Sequence, residues 1–376
     1  MNAALVQKYL PQIQAARVGD IPVTVGFDGF VDEIIHLVAT RSDHEHFERV
    51  PDLTAFGNRI LAAAGKSANI EMVPVQIKLG GNGPIMANAL GANKVALTYV
   101  GALGASSVHP VFAELADRAQ VFSIIEPGHT DALEFEDGKL MMGKYAHLKD
   151  LDWALIEKTM GGDCFFELIT QSKLVAMVNW TMCHGLSDIW RHLLERFAAA
   201  PPAERAIFFF DLADPEKRTT EDIREALELI RRFETYHDVI LGLNEKEAEE
   251  IAEVIGCAIP DGDDHQRVGR LTVLLQRALG VGTVVVHPRA FAAAASEGEE
   301  SAAIVEGPFT PNPKISTGAG DHFNAGFCIG KLIGLPNEGA LLTGVATSGY
   351  YVRTAQSPSL SELAERMTRI VDGREY

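Results

Sequence analysis

Cysteine is sparse in this chain: four in 376 residues, at positions 164, 183, 257 and 328, with no CxxC pair and no clustered histidines. That spacing argues against a disulfide framework or a structural zinc site and suits a reducing compartment. Positive charge is also in short supply. Against 51 acidic residues stand only 33 Lys and Arg, a formal net charge of −18. A phosphate backbone or an anionic bilayer needs a basic surface, so neither nucleic acid nor membrane is an expected partner. A phosphorylated small molecule is not excluded, because helix dipoles, backbone amides and a metal ion can meet its charge. No apolar run approaches the roughly 18 residues of a membrane span. The opening "MNAALVQKYLPQIQAARVGD" lacks the basic segment and apolar stretch of a secretory leader. A cytoplasmic location is the expectation.

Apolar residues are plentiful, at 47%, and they fall in short runs rich in β-branched and aromatic side chains. These include "IPVTVGF" (21–27), "KVALTYVG" (94–101), "KLVAMVNW" (173–180), "AIFFFDL" (206–212), "DVILGLN" (238–244) and "GTVVVH" (282–287). Continuous runs of this kind suit strands buried on both faces. Amphipathic stretches lie between many of them, such as 219–236, where Ile223, Leu227 and Ile230 share one face. Strands alternating with helices predict an α/β fold, a mainly parallel sheet covered on both sides. Two segments break the rhythm, about 33–50 and about 121–148. They read as a small stranded lid, with "EDGK" supplying a hairpin turn. The expected organisation is one main domain over 1–376 carrying that lid.

The most informative stretch is "STGAGDHFNAGF" (316–327). Behind the extended, proline-broken "FTPNPKI", Thr317 to Gly320 reads as a loop turning into a helix N-terminus. Free N–H groups point outward there and the helix dipole adds positive potential. The glycines let an anion approach, and Asp321 stands in the first turn. An aspartate there could simply cap the helix. An anion-binding turn beside a carboxylate, however, suits phosphoryl transfer: amides hold the moving group while the carboxylate takes a proton from the attacking hydroxyl.

"TGAGDHFNAGF" resembles the C-terminal signature of the ribokinase-like (PfkB) carbohydrate kinases, and further landmarks follow in order along most of the chain. "LGLNEKEAEEI" (241–251) is similar to the family's NxxE element. "LGGNGPIMANALGA" (79–92) resembles the N-terminal di-glycine signature, and "VTVGFDGFVDEI" (23–34) the first strand with its sugar-binding aspartate. "FFFDLADPEKR" (208–218) and "YYVRTAQSP" (350–358) resemble a strand-closing segment and the flank of the nucleotide site. The resemblance implies a ribokinase-like three-layer α/β/α sandwich with a small β lid. It implies transfer of the γ-phosphoryl group of ATP to a sugar-like hydroxyl, with Mg²⁺ required. Asp321 becomes the base, and the amides of Gly318, Ala319 and Gly320 the anion hole. Asn244 and Glu247 organise Mg²⁺ through water, together with the phosphates, and Thr317 and His287 lie on the nucleotide side. Asp28, Asp32, Gly80, Gly81 and Asn82 are the expected acceptor site. A sugar-like acceptor and a nucleotide are the expected partners, with room for a homodimer through the lid.

The position of Asn244 and Glu247 at a helix start also fits a plain capping pair, and the two roles are compatible. Four departures from the family pattern stand out. Ile315 replaces the aspartate that opens the signature and Thr354 replaces a glycine in the tail, so K⁺ activation is not expected. Ile85 stands where a sugar-contacting asparagine is usual. "VVVHPRAFAAAAS" lacks the usual Thr/Ser-x-Gly, which leaves His287 or Arg289 to face the phosphates. Asp32 lies six residues after Gly26 rather than five, a spacing closer to the NxNxD element of ADP-dependent sugar kinases. ADP as donor therefore stays open, as does a catalytically silent sensing relative. The dinucleotide-like turn "GNGPIMA" (81–87) lacks the acidic residue that would make a dehydrogenase reading specific.

Overall fold

The computed structural model describes residues 1–374 and 376. Nine strands form the main sheet: β1 Pro22–Phe27, β5 Ala96–Gly101, β6 Gln120–Ser123, β9 Leu174–Val178, β10 Ile207–Asp211, β11 Asp238–Leu243, β12 Thr283–Val286, β13 Phe291–Ser296 and β14 Ala303–Glu306. Their order is β14-β13-β12-β11-β10-β9-β1-β5-β6. Neighbours are parallel from β12 across to β6, while β13 pairs antiparallel with both β12 and β14 and so runs against the others. All six strands read from the apolar runs are present.

The pleat explains why those runs are apolar throughout. Successive side chains of a strand point to opposite faces, and here both faces are covered. Phe208 and Phe210 of β10 enter one core with Trp190, Phe197 and Phe233. Phe209, between them, enters the other with Ile240, Phe323 and Phe327. Helices lie on both sides, giving three layers. The amphipathic stretch at 219–236 becomes the helix Thr220–Phe233, capped by the Thr219 side chain.

The smaller sheet has β2 Phe30–Arg41 at its centre, with β3 Phe47–Arg49, β4 Met72–Gly80, β7 Gly128–Glu134 and β8 Lys139–Lys144. β2 pairs antiparallel with β3 and β4 and parallel with β7, which forms a hairpin with β8. Both segments expected to build a lid contribute strands to it. The sheet also takes in β4, outside those segments, while residues 120–123 belong to the main sheet. Pro74 disguises β4 in the sequence, and its position on an edge strand is where proline is tolerated. The sheet has its own apolar cluster, Ile35, Leu37, Val50, Leu133 and Phe135, with Phe56 stacked on Phe135 at 5.5 Å between ring centroids.

Candidate active site

The polar residues of the site stand where the parallel strands end. Asp28 follows β1, Asn179 follows β9, Asp211 closes β10, Asn244 follows β11 and His287 follows β12. Ligands gather at that carboxyl edge in open α/β sheets. Two helix N-termini face it, those of Asn82–Gly91 and Ala319–Leu332.

Asp28 belongs to the first of these helices. Its Oδ1 accepts from the Gly83 amide at 2.8 Å, and its Oδ2 from the Asn82 amide at 3.0 Å and the Asn179 side chain at 2.6 Å. The side chain is fully buried. Burial raises its pKa to about 6, against the pull of those hydrogen bonds. Gly81 turns the chain here with φ of 97°, and a Cβ at that position would lie 2.9 Å from Asp28 Oδ2. Left-handed backbone and close approach together call for glycine.

Asp32 sits on β2, paired with Lys78 of β4 and Thr130 of β7. Only 5% of it is exposed. Burial raises its pKa, offset by a hydrogen bond with Thr130 and the charge of Lys78. Gly80 lies directly beside it: a Cβ there would be 2.5 Å from the carboxylate. Asp28 and Asp32, expected as one pair of sugar-reading acids, thus occupy different settings. Asp28 anchors a helix start and Asp32 faces the smaller sheet.

Asp321 lies in the first turn of the helix Ala319–Leu332, whose N-cap Gly318 has φ of 88°. Asn82 donates its side-chain amide to Asp321 Oδ1 at 2.9 Å, so the two helix starts are joined. Burial is the main reason that the Asp321 pKa rises to about 8, with the charges of Asp28 and Glu247 adding to it. Of the three amides expected to form an anion hole, that of Ala319 turns back to the Ser316 carbonyl at 3.2 Å. A Cβ at Gly320 would lie 3.2 Å from His287 Cε1. His287 is half-buried against this turn, and desolvation lowers its pKa to about 4, so the ring is neutral near pH 7.

Asn244 and Glu247 form the capping box their spacing suggests. The Asn244 side chain accepts from the Glu247 amide and Glu247 Oε2 from the Asn244 amide, both at 2.9 Å. Glu247 Oε1 accepts a second amide, from Asp214. Burial raises the Glu247 pKa. Asp211 is raised well above the ordinary carboxylate range by burial and by the charges of Glu247 and Asp321. Among the described residues no group of three or more His, Cys, Asp or Glu side chains could hold a metal by itself.

Beyond Asn244 and His287 opens a cleft of about 430 Å³, lined also by Gly320, Phe309, Val345 and Val352. It runs from the glycine turn to the helix Asn337–Thr354. The full-length match to a known family decides what this arrangement belongs to. A model of the prokaryotic ketohexokinase family matches residues 3–370. A ketohexokinase of Haloferax volcanii is 31% identical over 349 residues, covering 92% of this chain and 91% of that one. The chain belongs to the prokaryotic ketohexokinase family.

This family member is a sugar kinase, a phosphotransferase acting on a sugar hydroxyl. Solved structures show the same ribokinase-like fold. Adenosine kinase from Sinorhizobium meliloti has a TM-score of 0.64 at 18% identity, covering 94% of this chain and 99% of that one. Arabidopsis thaliana ribokinase, complexed with ribose and ATP, has 0.59 at 17% identity, covering 93% and 99%. No helix among the described residues is long and apolar enough to cross a membrane.

Three polar residues at this edge are not singled out from the sequence: Asn179, Asp211 and Asn324, although the last two lie within the motif-like stretches 208–218 and 317–327. Asn324 donates to Asp211 Oδ2 at 2.8 Å across 113 positions of sequence. Asn179 holds a left-handed backbone, φ 59°, at the strand end. The sequence signal for Asn179 is a polar residue closing an apolar strand, and Asp211 adds to that its place in the strand-closing segment 208–218. Asn324 shows itself by standing one helical turn after Asp321.

Proposed function

We propose that this chain transfers the γ-phosphoryl group of ATP to a hydroxyl of a ketohexose, with Asp321 as the general base. The observation that carries the reading is the buried Asp321 carboxylate, held by Asn82 at the helix start that also bears the glycine turn. A general base works best with a pKa near the working pH, and burial brings that of Asp321 to about 8. The acceptor hydroxyl would meet Asp321 on the side of Asn82, with Asp32 gripping a neighbouring hydroxyl from the smaller sheet. Asp28 serves this site indirectly. Its oxygens already accept three donors, so it fixes Asn82, Gly81 and the helix start rather than reading the sugar.

The cleft beside His287 is the nucleotide side, and the amides of Gly318 and Gly320 receive the transferred group. Thr317 shapes that turn through its carbonyl. Mg²⁺ fits this edge: the donors are oxygens, and Asp211, Glu247 and Asp321 concentrate negative charge that a cation would offset. Asn244 and Glu247 would hold the ion through its waters, where it would neutralise charge on the phosphates. The smaller sheet acts as the lid over the acceptor and offers the surface for a homodimer. The kinase works in the cytoplasm on this reading.

A coupled assay tests the assignment, pairing ATP and ADP in turn with ketohexoses, aldohexoses and nucleosides. ATP-dependent turnover highest on a ketohexose is expected. Turnover on nucleosides with none on any ketohexose would overturn the substrate assignment, and turnover with ADP alone the donor.

A further inference from the structure

The residue after Asp321 contacts the glycine turn through the Gly318 carbonyl. His322 is buried. Its Nδ1 lies 2.8 Å from the Gly318 carbonyl oxygen and its Nε2 lies 2.9 Å from Ser357 Oγ. A carbonyl can only accept, so Nδ1 carries the proton and Nε2 accepts from the serine hydroxyl. Burial lowers the pKa of the ring to about 4, which keeps this neutral form across the working range. The imidazole stacks on Tyr351, with centroids 3.6 Å apart and planes 13° from parallel. Tyr351 in turn donates its hydroxyl to the Thr317 carbonyl at 3.0 Å.

The Thr317 carbonyl is therefore held by the Tyr351 hydroxyl, and the next carbonyl, of Gly318, by the stacked His322 ring beside the His322 backbone amide, which donates to it at 3.1 Å. A peptide group is planar, so fixing the Thr317 carbonyl also fixes the direction of the Gly318 N–H, which points the opposite way. That turn needs fixing. Gly318 has φ of 88°, a conformation that glycine alone reaches without strain but does not by itself hold. Its α-carbon is gripped between the two walls: a Cβ there would lie 3.1 Å from Ile85 and 3.3 Å from the Tyr351 hydroxyl. Phenylalanine or leucine at 322 would fill the same space. A histidine with both nitrogens engaged is the choice that serves the carbonyl.

We propose that His322 and Tyr351 are positioning residues: Tyr351 sets the peptide plane of Thr317, and with it the Gly318 amide that receives the phosphoryl group, while His322 holds Tyr351 by stacking and fixes the following Gly318 carbonyl. The inference rests on the kinase reading above and adds the two side chains that hold its anion site in shape. Groups that stabilise a transition state must be held in place by their surroundings before the reaction. Slack in this turn would therefore appear in turnover and nucleotide binding, and not in acceptor binding.

The test compares His322→Leu, His322→Asn and Tyr351→Phe by steady-state kinetics, with ATP affinity measured separately by calorimetry in the absence of acceptor. Loss of a hydrogen bond that orients a transition-state donor should lower kcat/KM for ATP about tenfold in His322→Leu. The acceptor KM should stay within about twofold, since Asp32 and Asn82 are untouched. His322→Asn can still donate to Gly318 from the position of Nδ1, and should keep kcat/KM within about threefold of wild type. Tyr351→Phe removes one hydroxyl and no bulk, so it reports on the Thr317 carbonyl even if His322→Leu folds poorly. It should lower kcat/KM for ATP about threefold or more with little change in melting temperature. Equal rises in both KM values, or His322→Asn falling as far as His322→Leu, would mean that the pair merely packs the core and would overturn the proposal. Wild type that binds no ATP would overturn the kinase reading and this inference with it; wild-type binding that the leucine and phenylalanine variants leave unchanged would overturn the inference alone.

Discussion

Asn82 and Asp321, 239 positions apart, meet through a 2.9 Å hydrogen bond that joins the first turns of two helices. On the proposed assignment, the bond gives the acceptor side and the phosphoryl side of the site a common reference. Asn82 itself is held in place, because its backbone amide donates to Asp28. An error at any one of the three residues is therefore passed to the others.

Asn82→Ala removes the side-chain amide that donates to Asp321. The carboxylate loses its direction and its pKa rises further, because the Asn82 bond is the first influence that lowers it. Kinetics should show kcat down by about tenfold to a hundredfold with nucleotide affinity unchanged. A variant with wild-type kcat would remove Asn82 from the site.

Burial and neighbouring charge raise the Asp321 pKa to about 8. A base acts when deprotonated, so kcat/KM for the sugar should climb as pH rises and level off above about 8. Stability should move the other way. A carboxyl whose folded pKa exceeds its unfolded value contributes stability that is complete below the unfolded pKa and lost as pH rises through the folded one. Asp321→Asn escapes that loss, so its melting temperature should exceed that of wild type at pH 8–9, with the difference shrinking toward pH 4. A pH-independent difference measured by calorimetry would contradict the shift.

Asp28 and Asp32 should fail differently. Asp28→Ala leaves two amides and the Asn179 side chain without their buried acceptor, a loss of about 3 kcal/mol or more in denaturant unfolding. Asp32→Ala should leave stability nearly unchanged and raise the acceptor KM tenfold or so, about the worth of one charged hydrogen bond. If Asp28→Ala were stable and lost only acceptor affinity, the anchoring role would be wrong.

Replacing Na⁺ with K⁺ should change the rate by less than about twofold. Ile315 offers no carboxylate to an alkali ion, and the neighbouring Lys314 ammonium already donates to the Thr354 carbonyl at 3.3 Å. A large rise specific to K⁺ would show that carbonyl oxygens alone build a site.

Much of this was legible in the sequence for physical reasons. Buried parallel strands must be apolar on both faces, so β1, β5, β9, β10, β11 and β12 announce themselves. Asn244 and Glu247 form a capping box whose spacing is local. What the sequence hides is either small or long-range. β13, "FAAAAS", is alanine-rich where it packs closely between β12 and β14, and alanine has little strand preference. β4 carries a proline that an edge strand tolerates. Asn179 reaches Asp28 across 151 positions, and no local pattern reports a contact of that kind. The proposed anchoring role of Asp28 was hidden for the same reason. Two acids four residues apart look like a pair until the fold places one under a helix start and the other on a separate sheet.

The most direct test of the account is a single measurement on Asp321→Asn. The substitution keeps the shape and an acceptor for Asn82 but cannot take a proton. Single-turnover transfer from ATP to the preferred sugar should fall by about a thousandfold or more, while ATP affinity by calorimetry stays within about twofold of wild type. A variant that binds ATP normally and keeps a tenth of the wild-type rate would contradict the assignment of Asp321 as the base.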